Sequence, residues 1–496
     1  MLRKILIANR GEIAVRIMRA AREMGIPTVS VFSDADREAL HVRLATEAVG
    51  LGPSPANESY LVISKLIDAA KKTGCDSIHP GYGFLAENAE FAQAVQDAKL
   101  TFIGPMPRAI RALGNKLGAR SMMSKANVPT VPGGEVKSGN IEDFKALASK
   151  IGYPIIVKAA AGGGGKGMRI VTDQGQLQDA VEAAQREAKS SFGDATVYLE
   201  KYLAHPRHIE VQIIADSFGH TVHLFERECS IQRRHQKIIE ETPSLALTPE
   251  LRTKMGDAAV AAAKAASYIS AGTVEFLYDN GNFYFLEVNT RIQVEHPITE
   301  MVTGIDLVKE QIHIASGEQL SFAQSDVKMR GHATECRIYA EDPATGFLPS
   351  PGKIIHLKEP VGGNVRVDSG VYSGFEVPIY YDPILSKVIT LGRTRDESID
   401  RMVLALKDYR IVGIKNNVRF LIDCLNHPEY RAGNLFTGFI EKHLLDWSES
   451  ESDRELDAAY AGAVLAMSEK QPAGGGGGAA GELEISPWQA LGSWEL

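Results

Sequence analysis

The residues with the clearest chemical potential lie in the stretch 283–297. Its first half alternates apolar and polar residues, which predicts a strand. Side chains two apart on a strand share a face, so Glu287 should lie beside Asn289. Oxygen ligands of these types suit a hard cation such as Mg²⁺. A solvated hairpin with surface acids explains the two side chains equally well, because carboxylates are usually exposed.

A third carboxylate comes just before this strand. The apolar run 272–277 predicts another strand, and the turn residues 279–281 predict a hairpin that carries Glu275 next to Glu287. A divalent cation held against nucleotide phosphates requires such a carboxylate cluster. The hairpin therefore predicts a metal site.

The residues after these acids favour chemistry over a solvated surface. Arg291, Gln293 and Glu295 supply a cation, an amide and a carboxylate within one short run. Together they could hold a small oxyanion and accept its proton. Basic and amide side chains also interleave in 232–237, which suits oxyanion or phosphate recognition better than a solvated charge run.

Four consecutive glycines, Gly162–Gly165, lie between two predicted strands. The first strand ends at Lys158 and Lys166 follows the glycines, so backbone N–H groups and two cations could approach phosphates. No Ser or Thr follows Lys166, and a strand comes where a P-loop would begin a helix. We expect a lid that closes over a nucleotide, since a plain linker is seldom bracketed by buried strands.

Two nearby segments carry candidate groups that also have ordinary explanations. Lys116 lies at the start of a predicted helix, where a lone lysine is usually solvated. The run 197–203 predicts a strand leading into a hinge, which would offer backbone groups and apolar walls to an adenine ring or simply connect two domains.

Two later strands place charged residues on one face. The first puts His208 beside Glu210, and the second puts Glu335 beside Arg337. Arg337 could pair at the surface, or it could be the fixed cation that stabilises an oxyanion or enolate.

The elements that must position these groups begin with residues 3–113. Short apolar runs alternate there with amphipathic helical stretches, which predicts an open parallel sheet with crossover helices. The first turn, 9–12, has a single glycine, too few for a dinucleotide-binding fingerprint. The loop 79–88 is rich in Pro and Gly, which is typical of a turn or of a binding loop.

Composition narrows the class of protein. The chain has 496 residues, enough for about two to four domains, and its net charge of −8 argues against a general nucleic-acid binder. The four cysteines show neither metal-ligand spacing nor a disulfide framework. Because no apolar run is long enough for a bilayer, we expect a cytoplasmic protein that binds small anions and contacts neither membrane nor nucleic acid.

Several motifs in the same order resemble the biotin carboxylases, the ATP-grasp component of biotin-dependent carboxylases. They lie at residues 7–14, 79–88, 161–167, 232–237 and 287–297. The resemblance covers residues 1 to about 446. It implies an α/β fold (α+β ATP-grasp) whose parts are an amino-terminal doubly wound parallel sheet at 1–113, an ATP-grasp domain at 114–330 with a glycine-rich lid at about 131–204, and a β-rich carboxy-terminal lobe at 331–446.

The remaining residues, 447–496, predict a tail that is acidic, then Ala-rich and helical to about Met467, then Gly-rich. Its last part resembles the region that leads, in longer acyl-CoA carboxylase α chains, toward carboxyltransferase-docking and biotinyl parts. A biotin-accepting lysine of this family sits in an Ala-Met-Lys-Met context, and the nearest string here is Ala466-Met467-Ser468. Biotin should therefore arrive on another chain or segment.

The resemblance also implies roles for individual residues. ATP would be bound by Lys116, Lys158, Gly163, Gly164, Gly165, Lys166, Gly167, Glu200, Lys201, Leu203, His208, Gln232, His235 and Leu277. Mg²⁺ or Mn²⁺ would be held by Glu275, Glu287 and Asn289. Bicarbonate would be bound by Lys237, Arg291, Gln293, Val294 and Glu295.

The implied reaction is the ATP- and bicarbonate-dependent carboxylation of biotin. Glu295 would deprotonate bicarbonate for attack on the γ-phosphate, assisted by Lys237 and Arg291, and carboxyphosphate would form. Carboxyphosphate would release CO₂ and phosphate, the phosphate would deprotonate the biotin ureido nitrogen, and Arg337 would bind biotin and stabilise its enolate. The implied partners are a biotin carboxyl carrier protein, a carboxyltransferase subunit and a second copy of the chain.

Two other functions remain open from the sequence. Another ATP-grasp ligase, such as the ammonia-dependent carbamoyl-phosphate type, shares carboxyphosphate chemistry but would not need Arg337. A scaffold that binds nucleotide without turnover would have no chemical reason to keep Glu275, Glu287 and Glu295 together. The sequence leaves the final acceptor open between acetyl-CoA, propionyl-CoA and pyruvate.

Overall fold

The computed structural model describes residues 1–136, 139–159, 168–234 and 236–469. The described residues up to Ser448 form one compact unit, and those from Glu449 to Glu469 belong to a second. Among the described residues, no helix is long and apolar enough to cross a membrane. The predicted lid residues Gly163, Gly164, Gly165, Lys166 and Gly167, together with His235 and the Gly-rich part of the tail, lie outside the described residues.

The amino-terminal part is a parallel sheet with helices between its strands. Its strands are β1 (Ile5–Ile7), β2 (Thr28–Ser33), β3 (Glu47–Gly52), β4 (Ser77–His79) and β5 (Thr101–Phe102), in the order β3-β2-β1-β4-β5. Its helices are α1 (Gly11–Glu23), α2 (Leu40–Leu44), α3 (Ile63–Lys72), α4 (Ala89–Asp97) and α5 (Pro107–Gly114). All three residues of β1 are buried, as expected for a parallel strand covered on both faces, and the predicted doubly wound sheet is confirmed.

A smaller antiparallel sheet follows the helix α6 (Lys116–Lys125). Its strands are β6 (Gly133–Glu135), β7 (Ile155–Ala159), β8 (Arg169–Val171) and β9 (Val197–Lys201), in the order β6-β9-β7-β8. Two helices belong to it, α7 (Ile141–Ile151) and α8 (Leu177–Phe192). The glycine run connects β7 to β8, so strands bracket it as predicted.

The following segment supplies most of the long strands. They are β10 (Arg207–Ala215), β11 (Thr221–Arg233), β12 (Gln236–Thr242), β13 (Ser270–Asp279) and β14 (Asn282–Asn289). The helices here are α9 (Pro249–Ala265), α10 (His296–Thr303) and α11 (Leu307–Ala315). Asn280 and Gly281, between β13 and β14, have φ of +47° and +82°, the left-handed values that a tight two-residue hairpin turn requires.

The carboxy-terminal part begins with a long buried strand and continues with short ones. Its strands are β15 (His332–Tyr339), β16 (Glu341–Asp342), β17 (Leu348–Pro349), β18 (Gly352–Lys353), β19 (His356–Lys358), β20 (Val365–Ser369), β21 (Glu376–Val377), β22 (Ile384–Gly392) and β23 (Arg410–Val412). The helices are α12 (Arg395–Asp408), α13 (Val418–Asn426), α14 (Pro428–Arg431) and α15 (Phe439–His443). In the second unit, α16 (Glu451–Glu469) includes the Ala-rich stretch predicted to be helical.

One eight-stranded sheet joins these last two parts, in the order β14-β13-β10-β11-β12-β15-β22-β20. The pairing of β12 with β15 carries this sheet across residue 330, where the sequence predicts a domain boundary. That boundary stays a prediction. The continuous sheet matters for function because it brings Arg337 on β15 onto the same surface as Lys237 on β12 and Glu275 on β13.

Candidate functional site

Lys237 is the centre of a buried charge cluster on the large sheet. Its Nζ donates to Glu210 Oε2 at 2.5 Å, Glu275 Oε1 at 2.8 Å and Glu295 Oε1 at 2.7 Å. Burial alone would lower the pKa of Lys237, but these carboxylates together raise it well above its usual value. Lys237 is therefore a permanent cation that contacts one carboxylate on β10, one on β13 and one just before α10.

Glu295 lies between two cations at the start of α10. One carboxylate oxygen accepts from Lys237, and the other accepts from Arg337 Nη2 at 2.9 Å. Burial by itself raises the pKa of this carboxyl, but the charges of Lys237, Arg337 and Arg227 outweigh burial and hold the pKa well below its usual range. Glu295 is ionised at neutral pH and has lone pairs ready for a proton.

The hairpin β13–β14 places the two predicted metal-binding carboxylates directly opposite each other. Glu275 is the register partner of Glu287, and a β-bulge follows at once, as often happens next to active sites. Partial desolvation by neighbouring protein atoms and the negative charge of Glu275 raise the pKa of the Glu287 carboxyl, although the residue keeps access to solvent. Two opposed carboxylates repel unless a cation lies between them, so this pair and the neighbouring Asn289 fit a divalent ion.

Another set of side chains has metal-like spacing. His208, Glu210 and Glu275 offer ligand atoms within 4.8 Å of one another. Lys237 and the fully buried Arg227 already balance Glu210, and His208 Nε2 lies 3.1 Å from Glu275 Oε2. Lys237 and Arg227 thus balance Glu210, and Lys237 and His208 face Glu275, so protein side chains already surround this set.

The oxyanion candidates of 291–295 each have defined hydrogen-bond partners. Arg291 donates from Nη2 to Asn289 Oδ1 at 2.9 Å and from Nε to Glu87 Oε2 at 3.0 Å. Gln293 donates to Glu275 Oε1 at 3.0 Å and accepts from Arg227 at 2.8 Å. The carbonyl oxygen of Val294 accepts from Lys387 Nζ at 2.8 Å.

The nucleotide candidates lie around the smaller sheet and the edge of the large one. Lys158 Nζ donates to Glu200 Oε2 at 2.7 Å, and Arg120 donates to the other oxygen of Glu200. Lys201 Nζ donates to the carbonyl oxygens of Gly152 and Tyr153, so this ammonium is already occupied by the backbone. A ligand would meet the backbone of Lys201 more readily than its charge.

The remaining candidates hold different positions. Leu277 is half-buried directly opposite His208 in the pairing of β13 with β10, and Leu203 is half-buried just after β9. Gln232 is buried opposite Lys237 at the end of the β11–β12 hairpin. Lys116 is exposed at the first turn of α6, and its charge offsets part of the rise in the pKa of Glu287.

Several functional groups were missed by sequence reasoning. Arg227 is completely buried and bonds to Glu210 and Gln293, and Glu87 holds Arg291 from 204 residues away in the chain. Local sequence patterns do not predict contacts between residues so far apart in the chain. Lys387 was detectable in principle, because a lysine within the apolar run of β22 calls for a buried partner.

Comparisons with known proteins match three stretches of the chain. Family models match residues 1–110 (biotin carboxylase, N-terminal domain), 115–323 (carbamoyl-phosphate synthase L chain, ATP binding domain) and 335–442 (biotin carboxylase C-terminal domain). The chain is 53% identical over 445 residues to Biotin carboxylase 1 of Bacillus subtilis (strain 168), covering 89% of this chain and 99% of that protein.

Two further relatives extend the comparison. Methylcrotonoyl-CoA carboxylase subunit alpha of Dictyostelium discoideum is 48% identical over 498 residues, with 99% of this chain and 70% of that protein covered. A crystal structure of the biotin carboxylase domain dimer of Hydrogenobacter thermophilus 2-oxoglutarate carboxylase, with MgADP, ADP and bicarbonate, is 45% identical with a TM-score of 0.84. It covers 91% of this chain and 100% of that one.

Proposed function

The chain belongs to the biotin carboxylase family, and from this premise we propose how its own residues carry out the ATP- and bicarbonate-dependent carboxylation of biotin. The observation that carries the assignment of roles is the position of Glu295. It is an ionised carboxylate bracketed by Lys237 and Arg337 and close to the carboxylates that suit a metal ion. A base, an anion-binding cation and an enolate-stabilising cation thus meet within one hydrogen-bonded group.

Glu295 acts as the base toward bicarbonate. Its depressed pKa makes it a weak base as it lies, between Lys237 and Arg337. Bicarbonate and the nucleotide phosphates bring negative charge into the cluster, which draws these cations away and raises the proton affinity of Glu295. The proton then passes from bicarbonate to Glu295 while the bicarbonate oxygen attacks the γ-phosphorus, and ADP leaves.

The residues around Glu295 position the oxyanion. Lys237, Arg291 and Gln293 supply the donors, and Glu87 and Arg227 hold Arg291 and Gln293 in place through the hydrogen bonds described above. Because Arg291 and Gln293 are already held by these partners, they need little reorganisation at the moment of reaction.

The divalent ion fits the hairpin acids. Glu275, Glu287 and Asn289 would hold Mg²⁺ or Mn²⁺, which when bound neutralises phosphate charge and makes the γ-phosphorus easier to attack. We assign Lys158, Glu200 and Leu203, on and just after strands of the smaller sheet, to the nucleotide, and with them the glycine run of the sequence. We assign Lys116, Lys166, Lys201, His208, Gln232, His235 and Leu277 to the same nucleotide.

Arg337 serves the second half of the reaction. Carboxyphosphate breaks its C–O bond to give CO₂ and phosphate, and the phosphate accepts the ureido N–H proton of biotin. Arg337 stabilises the negative charge on the ureido oxygen while the nitrogen attacks CO₂. The cation is present before biotin arrives because Glu240 and Glu295 hold its guanidinium at 2.6 and 2.9 Å.

We further propose that biotin reaches the site on a biotin carboxyl carrier protein, that a carboxyltransferase subunit consumes the product, and that the chain works as a homodimer in the cytoplasm. The dimeric relative from Hydrogenobacter thermophilus supports the homodimer. All four cysteines are free and buried, which suits a reducing compartment. The final acceptor is selected at the carboxyltransferase site, so relatives named for methylcrotonoyl-CoA and 2-oxoglutarate share this domain.

The test is bicarbonate-dependent ADP release from MgATP, with and without free biotin, for the wild type and for Glu295→Ala. We expect biotin to stimulate the wild type and the substitution to lower turnover by roughly 100-fold or more. Glu376→Ala, an exposed glutamate on β21, is the matched control and should leave turnover unchanged. ADP release that needs bicarbonate but ignores biotin would favour a carbamoyl-phosphate-type ligase instead.

A further inference from the structure

A second pair of opposed glutamates lies next to Arg337, outside the hairpin proposed to bind metal. Glu240 on β12 and Glu335 on β15 are register partners in adjacent antiparallel strands. Both are completely buried. Directly opposed side chains on such strands have Cβ atoms about 4.5–5.5 Å apart and lie on the same face of the sheet. Arg337, two residues after Glu335, shares this face and donates from Nε to Glu240 Oε1 at 2.6 Å.

The hydrogen bonds of this pair are incomplete in a specific way. Glu240 Oε2 and both carboxyl oxygens of Glu335 are buried without any hydrogen-bond donor. An ionised carboxylate can only accept, so two facing carboxylates leave these oxygens unsatisfied and add repulsion between like charges. Buried polar atoms in native proteins are almost always paired, and each exception calls for a physical cause.

The surrounding charges do not relieve both glutamates. Toward Glu335 face Glu240 from β12, Lys387 from β22, Arg337 from its own strand and Glu295 from the start of α10. Lys387 is already used by Glu12, at 3.2 Å, and by the carbonyl of Val294. Arg337 is likewise divided between Glu240 and Glu295. Burial raises the pKa of Glu335 well above its usual value and that of Glu240 to about 7.

We propose that Glu335 is a protonated carboxylic acid that donates its hydrogen bond to Glu240, and that this bond keeps Glu240 ionised so that it positions Arg337 for the biotin enolate. A single proton between the two side chains satisfies Glu240 Oε2 and removes the repulsion. Glu335 is a positioning residue that acts through Glu240, and this role rests on the function proposed above.

In this proposal, Arg337 keeps one hydrogen-bond partner throughout the reaction and releases the other. Glu240, supported by Glu335, retains the guanidinium, while Glu295 releases it when it takes the proton of bicarbonate. Arg337 can then face the ureido oxygen without losing its place. Were Glu335 to ionise, the pocket would hold an additional negative charge, and Arg337 would be drawn away from biotin.

Two substitutions of Glu335 separate the donor from the bulk of the side chain. Glu335→Gln keeps the shape and an N–H donor, so we expect biotin-stimulated ADP release within about twofold of the wild type. Glu335→Leu removes the donor, so this release should fall roughly tenfold or more, as for other unsatisfied buried acceptors. ADP release without biotin should fall less, since Arg337 acts mainly on biotin.

The pH dependence of biotin-stimulated activity distinguishes this role from a merely structural one. Ionisation of Glu335 should lower wild-type biotin-stimulated activity at alkaline pH, and Glu335→Gln, which cannot ionise there, should lack that decline. Glu228→Gln is the matched control: Glu228 is a buried carboxyl of the same sheet, satisfied by Arg207, Ser230 and Ser244, and this substitution should leave the alkaline decline in place.

Infrared spectroscopy tests the proton without relying on activity. The difference spectrum between wild type and Glu335→Gln at pH 7 should contain the C=O band of one protonated carboxyl group. Absence of that band, or equal loss of biotin stimulation in Glu335→Gln and Glu335→Leu, would overturn the proposal. Wild-type protein that ignores biotin would instead refute the proposed function, and the infrared result would still decide the state of Glu335.

Discussion

Two pairs of directly opposed glutamates lie on the same eight-stranded sheet, and their surroundings give them different tasks. Glu275 and Glu287 face each other across the β13–β14 hairpin, and Glu240 and Glu335 across β12 and β15. Glu287 is exposed, whereas both members of the second pair are fully buried.

Access to solvent decides how each pair is neutralised. A hydrated divalent ion can reach the exposed Glu287, and Lys237 and His208 compensate Glu275 from within. Both members of the second pair are fully buried, so a proton is the smallest charge that could relieve it. We therefore expect directly opposed glutamates to bind a metal ion in the first pair and to share a proton in the second.

The largest expected effect comes from removing the cation that compensates the first pair. In Lys237→Met, the carboxylates of Glu210, Glu275 and Glu295 lose their shared partner, so the free energy of unfolding should fall by about 3–5 kcal/mol. Urea unfolding at constant slope measures this loss. Lys145→Met, which breaks an exposed pair with Glu142, is the control and should cost at most about 1 kcal/mol. An unchanged urea midpoint for Lys237→Met would show that Lys237 does not compensate these carboxylates.

The next prediction uses the Mg²⁺ dependence of activity to distinguish the pair proposed to bind a metal ion from the pair proposed to share a proton. Glu287→Gln removes a charged metal ligand, so the Mg²⁺ concentration for half-maximal ADP release should rise by roughly 10- to 100-fold. The same substitution in the other pair, Glu335→Gln, should leave the Mg²⁺ dependence unchanged. A Mg²⁺ requirement that shifts equally in both variants would remove the distinction between the two pairs.

A smaller effect concerns stability as a function of pH. Above the unfolded pKa of about 4.5, Glu335 ionises in the unfolded chain but keeps its proton in the folded one. The folded state then binds more protons, so stability falls as pH rises through this window, with a limiting slope of about 1.4 kcal/mol per pH unit. Glu335→Gln should therefore gain stability over the wild type progressively from about pH 5 upward. Parallel stability curves for the two proteins would contradict a raised pKa.

The smallest effect tests the turn that opposes Glu275 to Glu287. Gly281 has φ +82°, so Gly281→Ala should cost about 1 kcal/mol of stability and weaken the Mg²⁺ response slightly. Gly363→Ala, at a glycine with open space and no left-handed backbone, is the control. Equal thermal stability of the two variants would show that the turn does not constrain the hairpin.

Much of this site could be predicted from local sequence. The turn residues 279–281 and the apolar alternation around them predicted that Glu275 would lie opposite Glu287, and the structure confirms it. The alternation of strands and helices before residue 113 likewise predicted the parallel sheet. Both predictions depend on neighbours in the chain, where backbone geometry follows directly from residue type.

Other features needed the folded chain. Glu87 reaches Arg291 across 204 residues, and Lys387 reaches the carbonyl of Val294 across 93. The large sheet has strands on both sides of residue 330, where the family resemblance predicts a domain boundary. Such contacts depend on strand order and register, which local propensity does not specify.

The sequence by itself determined the family, the order of its motifs and the residue types that the chemistry requires. It also placed Glu335 and Arg337 on one face of a strand. Only the tertiary structure decided that Glu335 opposes Glu240, 95 residues earlier, in a pocket without a free donor. Charge state depends on burial and on the groups that surround a side chain in space, and these are properties of the packed fold, not of the residue type.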